Sequence, residues 1–588
     1  VTDGAAHAAT QTFTLVVSAQ QTNGKFDGPA ELPRVYIQSA LSNTPAPGTT
    51  IAVAAGGSLQ AALNSAKCGD TISLQAGATF TGNYAFPAKG CDDQHWIIVR
   101  SSAPDTALPP EGTRLTPCYA GVSSLPGRPA LNCQSTQNVT ARLVFGAKSG
   151  DGPIVFASGA NHYRLMGLEV TRQAGGLIVY HLISMTQGGT ADHIILDRVW
   201  VHGTAQDETK SGIGTAGSTN LAIVDSTFTD LHCIALTGAC TDGNAIGGGN
   251  GNSPMGPYKI VNNFLEAGGE SIIFGGSQAT QTPTDIEIRR NHLFKPLTWM
   301  KGQPGFVGGA DGSPFVAKNN FELKNAQRVL FEANILENSW GGFTQNGFSI
   351  LLTPRNQQAA DGSNVCPRCQ ITDVTIRYNT ISHAGAGMQI TNGLTGPQGP
   401  LDGQRYSIHD IIIDDIDPVK YSGSGNLMQI GTGPAPSPIL QNVTINHITG
   451  LTHNSFMMVG GRMVNATMRN FTYTNNLVTA GPYPIYSTGG AVNCANNKNP
   501  LGILNACFNP YVFAGNAIYS SGTQYGLSAF PGNNMLVANV ASEFVNYNNG
   551  NGGDYHLSAN SSCKSAATDG KDIGADVNTV MAAIAGVR

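Results

Sequence analysis

The sequence predicts an all-β chain wound as a parallel β-helix, on two observations: a strand phrase that keeps returning, and a composition built for tight turns. The phrase is an apolar, β-branched run, an Asn, then two or three more apolar residues. It reads Ile260-Val261-Asn262-Asn263-Phe264-Leu265 and returns at Ile286–Leu293, Val329–Leu336 and Val374–Ile381. Later copies are Val443–Ile448, Thr474–Val478 and Ala514–Ile518. Asn263, Asn291, Asn334 and Asn379 lie 28, 43 and 45 residues apart. Repeats at such periods mark a solenoid. Each copy is too short to hide its own apolar face, so successive copies must stack at about 4.8 Å and bury one continuous core. Like then lies over like, and Asn263, Asn291, Asn334, Asn379, Asn446, Asn476 and Asn516 are expected to form an amide ladder at one corner of the coil. Uneven spacing follows from loops that leave the wall without disturbing the stack. Only 12% of the 588 residues are charged, while Gly fills 73 positions. That suits many turns and short strands. An apolar content of 41% excludes a disordered chain.

Taken from the N-terminus, residues 1–20 do not continue the pattern. Ala9 to Val17 alternates polar and apolar as a half-buried strand does, with Gln11, Phe13, Leu15 and Val17 on alternate positions. The segment resembles the last strand of a bacterial immunoglobulin-like repeat whose sandwich is missing. A lone strand needs a sheet to join, so an assembly role is expected for it. Residues 21–55, Pro-rich from Pro29 to Pro47, read as a linker. Ser58 can cap a short helix whose apolar face is Leu59, Ala62 and Leu63. It is expected to close the N-terminal end of a solenoid spanning 56–576. A second small helix within 577–588 is expected to close the other end, since open ends expose core and strand edges.

Eleven cysteines pair most simply with near neighbours: Cys68–Cys91, Cys118–Cys133, Cys233–Cys240, Cys366–Cys369 and Cys494–Cys507, leaving Cys563. Spacing does not determine connectivity. Disulfides imply an oxidising compartment, so a secreted or cell-surface location is expected. No signal peptide opens the chain, which therefore reads as a processed form. A net charge of −5 without a basic stripe speaks against nucleic acid, and no apolar run is long enough to span a membrane.

From Gly56 to about Asp576 the chain resembles the secreted right-handed parallel β-helix repeat proteins of the pectate-lyase-like superfamily, more narrowly those of acidobacterial type. The resemblance rests on Gly69–Gly77, Leu196–Gly203, Phe321–Ala326, Thr353–Gln357 and Gly570–Asp576. It implies the fold. It leaves activity open, because this fold hosts lyases, hydrolases, adhesins and passive proteins.

A calcium-dependent lyase needs converging carboxylates and an Arg or Lys to take the proton beside a uronate carboxylate. The family's signature Val-Trp-Ile-Asp-His is half present, as Val199-Trp200-Val201-His202 without the Asp. A polygalacturonase-type hydrolase needs paired Asp residues and a Gly-His-Gly loop. Asp414, Asp415 and Asp417 stand together, but the loop is missing. A less specific set remains on successive turns: Glu270, Lys318, Glu322, Lys324 and Arg355, with Asp207, Glu208, Asp225, Asp230 and Asp242 before them. Trp200, Trp299 and Trp340 offer rings for sugar stacking. His162, His202, His292 and His383 read as bonded turn histidines, and no metal site is assigned. Two functions follow. The first is an extracellular structural protein, a filament subunit joined head-to-tail to copies of itself by β-strand addition. The alternative is a secreted lyase or hydrolase acting on an acidic polysaccharide. Neither needs a cofactor, except that a lyase would bring calcium.

Overall fold

The structure, a computed structural model, describes residues 25–235, 240–354, 365–392, 403–432, 439–460, 467–487, 494–495, 499–522 and 524–588. Gln11, Phe13, Leu15, Val17 and Arg355 therefore lie outside the described residues.

Each turn of the coil lays down three strands, as in Tyr258–Val261, Phe264–Glu266 and Glu270–Phe274. The next turn repeats them in parallel and in register, so Ile260 pairs with Ile288, Leu265 with Leu293 and Ile272 with Phe321. The result is a right-handed parallel β-helix. One wall is a 12-stranded parallel sheet running from Tyr84–Phe86 to Ile485–Ser487; the other two walls form one sheet of 26 strands, bent at a corner. Apolar side chains stack down the bore, with Phe321 and Phe331 face to face at 4.3 Å. Each such side chain contributes roughly 1.5–3 kcal/mol by leaving water.

The corner carries the amide ladder. Oδ1 of Asn291 accepts from both the backbone N–H and the side-chain amide of Asn263; Asn334 does the same for Asn291, and Asn379 for Asn334. Each Asn Nδ2 also donates to a carbonyl of a neighbouring turn, as Asn334 does to Ile288. The residue before each ladder Asn is left-handed, including Arg290 at φ 55 and Tyr378 at φ 58. That conformation turns the chain sharply and points the following Asn inward, at a local cost of about 1 kcal/mol. A second stack joins Asn476 to Asn516 and adds Asn534. Asn446 does not belong to it. Its Oδ1 accepts from Thr474 and Asn475 on the outer surface, and Ile411 and Ile448 stand opposite one another where the ladder would continue. The Asn–apolar phrase was thus shifted by two residues there.

At the N-terminal end, Ser58 accepts from the Ala61 N–H and caps the helix Leu59–Ser65, whose Leu59, Ala62 and Leu63 are buried on the core. The first strand paired into the coil, Thr50–Val53, precedes the expected boundary at 56. Residues 25–48 are a packed strap, not a free linker. They run along the outer wall, where left-handed Asp285 and Asp373 accept the backbone N–H groups of Arg34 and Glu31. Asp27 anchors the strap's start between Arg377 and His409. The far end differs too. The core is closed by the helix Pro500–Cys507, which buries Ile503 and Leu504. The helix Val577–Ala583 instead lies along the flank, where Arg290 donates to the carbonyls of Ala583 and Ala585. The left-handed Arg290 turns its guanidinium outward and holds the helix on the flank. Five disulfides join Cys68–Cys91, Cys118–Cys133, Cys233–Cys240, Cys366–Cys369 and Cys494–Cys507, and Cys563 is buried and free.

Two measurements check this reading. Asn334→Ala leaves the buried Asn291 donors unpaired and is expected to lower stability by about 2 kcal/mol in denaturant unfolding, whereas Asn446→Ala changes it by well under about 1 kcal/mol. Burial opposes the His409 charge, yet hydrogen bonds to Asp27 and Asp410 outweigh it and raise its pKa to about 9. A pKa raised on folding stabilises fully below the unfolded value near 6.5 and is lost as pH rises through about 9. Amide exchange at Phe26–Glu31, corrected for its intrinsic pH dependence, is expected to speed up between those values, and Asp27→Asn abolishes the step.

Candidate functional site

The 12-stranded sheet floors an open groove of about 760 Å³. Its floor is low because glycines occupy neighbouring strands at Gly214, Gly247 and Gly248, with Gly275 and Gly276 at the following turn. Gly275 is strictly required: its φ is +101, and an added Cβ would come within 2.8 Å of the Lys324 Cβ and the Asn325 nitrogen.

Lys318 and Lys324 enter the groove from either side of the strand Phe321–Leu323. Beneath them lie Glu322, in that strand, and Glu270, at the head of the adjacent paired strand; both are buried. The Lys318 ammonium bonds Asp242 and stands 3.8 Å from Glu270. The Lys324 ammonium is 2.8 Å from Glu322, within ion-pair range though off the hydrogen-bonding direction. Both Glu270 oxygens lack a hydrogen-bond donor among the described residues.

Burial and the nearby Asp242 charge push the Glu270 carboxyl above its ordinary value, with the Lys318 and Lys324 charges opposing. Burial works against both lysine charges, but Glu270 and Asp242 hold Lys318 above its ordinary value, and Glu322 and Glu270 do the same for Lys324. The groove therefore presents two ammonium groups that stay charged. Deeper still, Lys295 donates all three N–H bonds to the carbonyls of Ala267, Gly269 and Asn319. Burial draws its pKa down, with Glu270 and Glu266 opposing. Three carbonyl acceptors require an ammonium, and Lys295 pins the turn that carries Glu270.

Of the expected site residues, Glu270, Lys318, Glu322 and Lys324 meet in this cluster, and Asp242 joins them. The tryptophans do not. Trp200 is buried, donates to Thr229 and stacks on His202; Trp299 and Trp340 are buried in one outer apolar cluster. Their rings are consumed by packing and offer no face to a sugar. Asp225 accepts from Gly112 and Asn262, Asp230 pairs with Arg128, and Asp207 accepts from Thr204. Asp414 accepts from Tyr555, and Asp415 binds His383, Lys420 and Tyr421. These are internal bonds on other walls.

Sequence reasoning missed Lys295 and His181. Lys295 follows the strand His292–Phe294 and precedes Pro296, a place where sequence reads a lysine as an exposed turn residue; only the structure shows its burial. His181 lines the groove toward its other end, its Nδ1 2.7 Å from Asp151 Oδ1.

No family model and no curated protein matches the chain. Among solved structures, the chain is similar to a mannuronic acid specific polysaccharide family 6 lyase from human gut microbiota, at 12% identity and a TM-score of 0.46, over 83% of this chain and 91% of that one. It is also similar to a pectate lyase, at 12% identity and 0.32, over 91% and 98%. An alginate lyase from Paenibacillus sp. gives 12% and 0.27, over 83% and 97%. These likenesses are of backbone at low identity, so the chemistry of this chain must stand on its own residues.

Lys295→Met leaves three buried carbonyls without a donor and is expected to cost about 3 kcal/mol in denaturant unfolding.

Proposed function

We propose that the chain is a secreted polysaccharide lyase that binds an acidic, uronate-containing glycan along the groove of the 12-stranded sheet. One observation carries the reading: Lys318 and Lys324 converge on the groove floor, each held cationic by a buried carboxylate beneath it. Elimination from a uronate breaks the C–H bond beside its carboxylate and the bond to the glycosidic oxygen as the double bond forms; neutralising the carboxylate acidifies that proton, which passes to a water of the open groove while the leaving oxygen is protonated from solvent. The two ammonium groups supply that neutralisation by turning toward the substrate carboxylate, Lys318 from its pairing with Asp242 and Lys324 from its place beside Glu322. A hydrolase would instead need two carboxyl groups open to the sugar. Glu270 and Glu322 are buried and Asp242 is paired to Lys318, which favours elimination. The filament expectation rests on residues 11–17, outside those described, whereas the groove and its lysines are in place. The five disulfides support secretion, and no helix among the described residues is long and apolar enough to cross a membrane.

Calcium fits this cluster poorly. The bare oxygens belong to Glu270 and Glu322, both already beside ammonium groups. Among the described residues, the groups of three ligand atoms close enough to share an ion lie elsewhere. Charge neutralisation is therefore assigned to the lysines.

A panel of polyuronates, followed by absorbance of the unsaturated product, tests the reading. Lys318→Ala and Lys324→Ala are each expected to lower kcat/KM by about 100-fold or more, the scale of losing one preorganised charge. Binding without product from every polyuronate would make the groove a glycan-binding wall instead. Absence of both binding and product would overturn the proposal.

A further inference from the structure

We infer that Asp93, His162 and His193 form a binding site for a divalent transition metal of the zinc class, on the outer wall near the N-terminal end and away from the groove. His162 and His193 occupy equivalent places on successive turns, both left-handed, with φ of 54 and 52. Their flanking residues pair in register, Asn161 with Asp192 and Tyr163 with Ile194. The two rings consequently stack, centroids 4.5 Å apart and planes within 5°.

The hydrogen-bond roles leave a gap that a cation would fill. Nδ1 of His162 lies 2.9 Å from Asn161 Oδ1. The Asn161 amide group donates to the carbonyls of Lys89 and Gly159, which fixes Oδ1 as the acceptor. Nδ1 of His193 lies 2.7 Å from Asp192 Oδ2, a carboxylate already held by Thr219 and Asn220 through its other oxygen. Each Nδ1 must therefore carry the ring's hydrogen, and a neutral imidazole has only one. Both Nε2 atoms then present bare lone pairs, and both face Asp93 Oδ1, at 3.2 and 3.8 Å. With both rings neutral, the two Nε2 atoms and the Asp93 oxygen are three acceptors with no hydrogen between them. A shared proton would satisfy one ring only.

A zinc-class ion would satisfy all three once the stacked, parallel rings tilt so that both Nε2 lone pairs aim at it. The three ligand atoms lie within 4.8 Å of one another. Tetrahedral ligands at ~2.1 Å from zinc are ~3.4 Å apart, close to both measured separations. Two imidazoles and one carboxylate suit zinc and its borderline neighbours rather than calcium or magnesium, which prefer oxygen. The second shell is also in place: Asn161 and Asp192 orient the rings through Nδ1, as outer partners of metal-bound histidines do. Trp96 packs edge-on against both rings, at 5.0 and 6.1 Å, and shields one side. The Cys68–Cys91 disulfide anchors the loop that carries Asp93. With three protein ligands, the fourth position is left to water. The ion would rivet the Cys91–Trp96 loop to two turns of the wall.

The test uses the full chain after chelator treatment and dialysis, titrated with Zn²⁺ against a chromophoric indicator and, separately, with Co²⁺ followed by visible absorption. One ion per chain is expected, with Co²⁺ bands of tetrahedral intensity. His162→Ala and His193→Ala should each weaken binding by about 10-fold or more, while His95→Ala and His181→Ala leave it unchanged. Asp93 is mostly exposed, so Asp93→Ala tests the site without threatening the fold and should weaken binding likewise. Failure of the wild-type chain to bind near-stoichiometric Zn²⁺ would overturn the inference. So would binding that survives both Asp93→Ala and His193→Ala.

Discussion

Every feature of this molecule depends on successive turns stacking in register, and the corner amides are what hold that register. A strand slipped by one residue would turn its apolar set outward. At the corner, slippage would also strand the buried Asn donors, which bond to the next Asn in line and to a carbonyl of a neighbouring turn. Apolar packing favours stacking in general; the ladder selects one stacking. Where Ile411 and Ile448 interrupt it, the strands Gly403–Ile416 and Gln441–Thr452 become the longest pair in the coil. There the backbone ladder runs unbroken through what is elsewhere a corner, and takes over the register.

Stacking has a second consequence. Any side chain that points outward on one turn meets its counterpart on the next, so polar residues accumulate in rows. One row of left-handed positions carries His162, His193, Asn220, Asp285, Arg328, Asp373 and Arg405. Its middle binds the strap through Asp285 and Asp373, and its beginning stacks two imidazoles. The groove arises the same way on the opposite wall. Glycines aligned across strands lower the floor, and lysines flanking one strand meet carboxylates on that strand and on its neighbour.

What could be read from the chain follows this division. The repeat, the ladder from Asn263 to Asn379, the five cysteine pairs and the convergence of Glu270, Lys318, Glu322 and Lys324 all depend on spacing along the sequence. The strap, the flank-docked C-terminal helix and the buried tryptophans depend on contacts between residues hundreds of positions apart, such as Asp27 with Arg377. Nothing local marks those. Trp200 illustrates the difference: its sequence context is a strand end, where a ring can face either way, and only the outer loop at Leu108 and Leu115 turns that surface into an interior.

The placement of charge argues for function more strongly than fold frequency does. In a chain with 12% charged residues, a fully buried glutamate without a hydrogen-bond donor and a buried lysine beneath it are expensive choices, since apolar replacements of similar size are often neutral or stabilising. On the preceding turns the position of Glu270 is taken by the buried but uncharged Asn244 and Ser211. A solenoid bears such a cost locally, because each turn is stabilised mainly by its immediate neighbours. Several turns on either side of Glu270 can therefore compensate for one turn that carries the charges. That Glu270, Glu322, Lys295, Lys318 and Lys324 all belong to two consecutive turns, beneath an open groove, is the arrangement selection for chemistry would retain and selection for stability alone would remove.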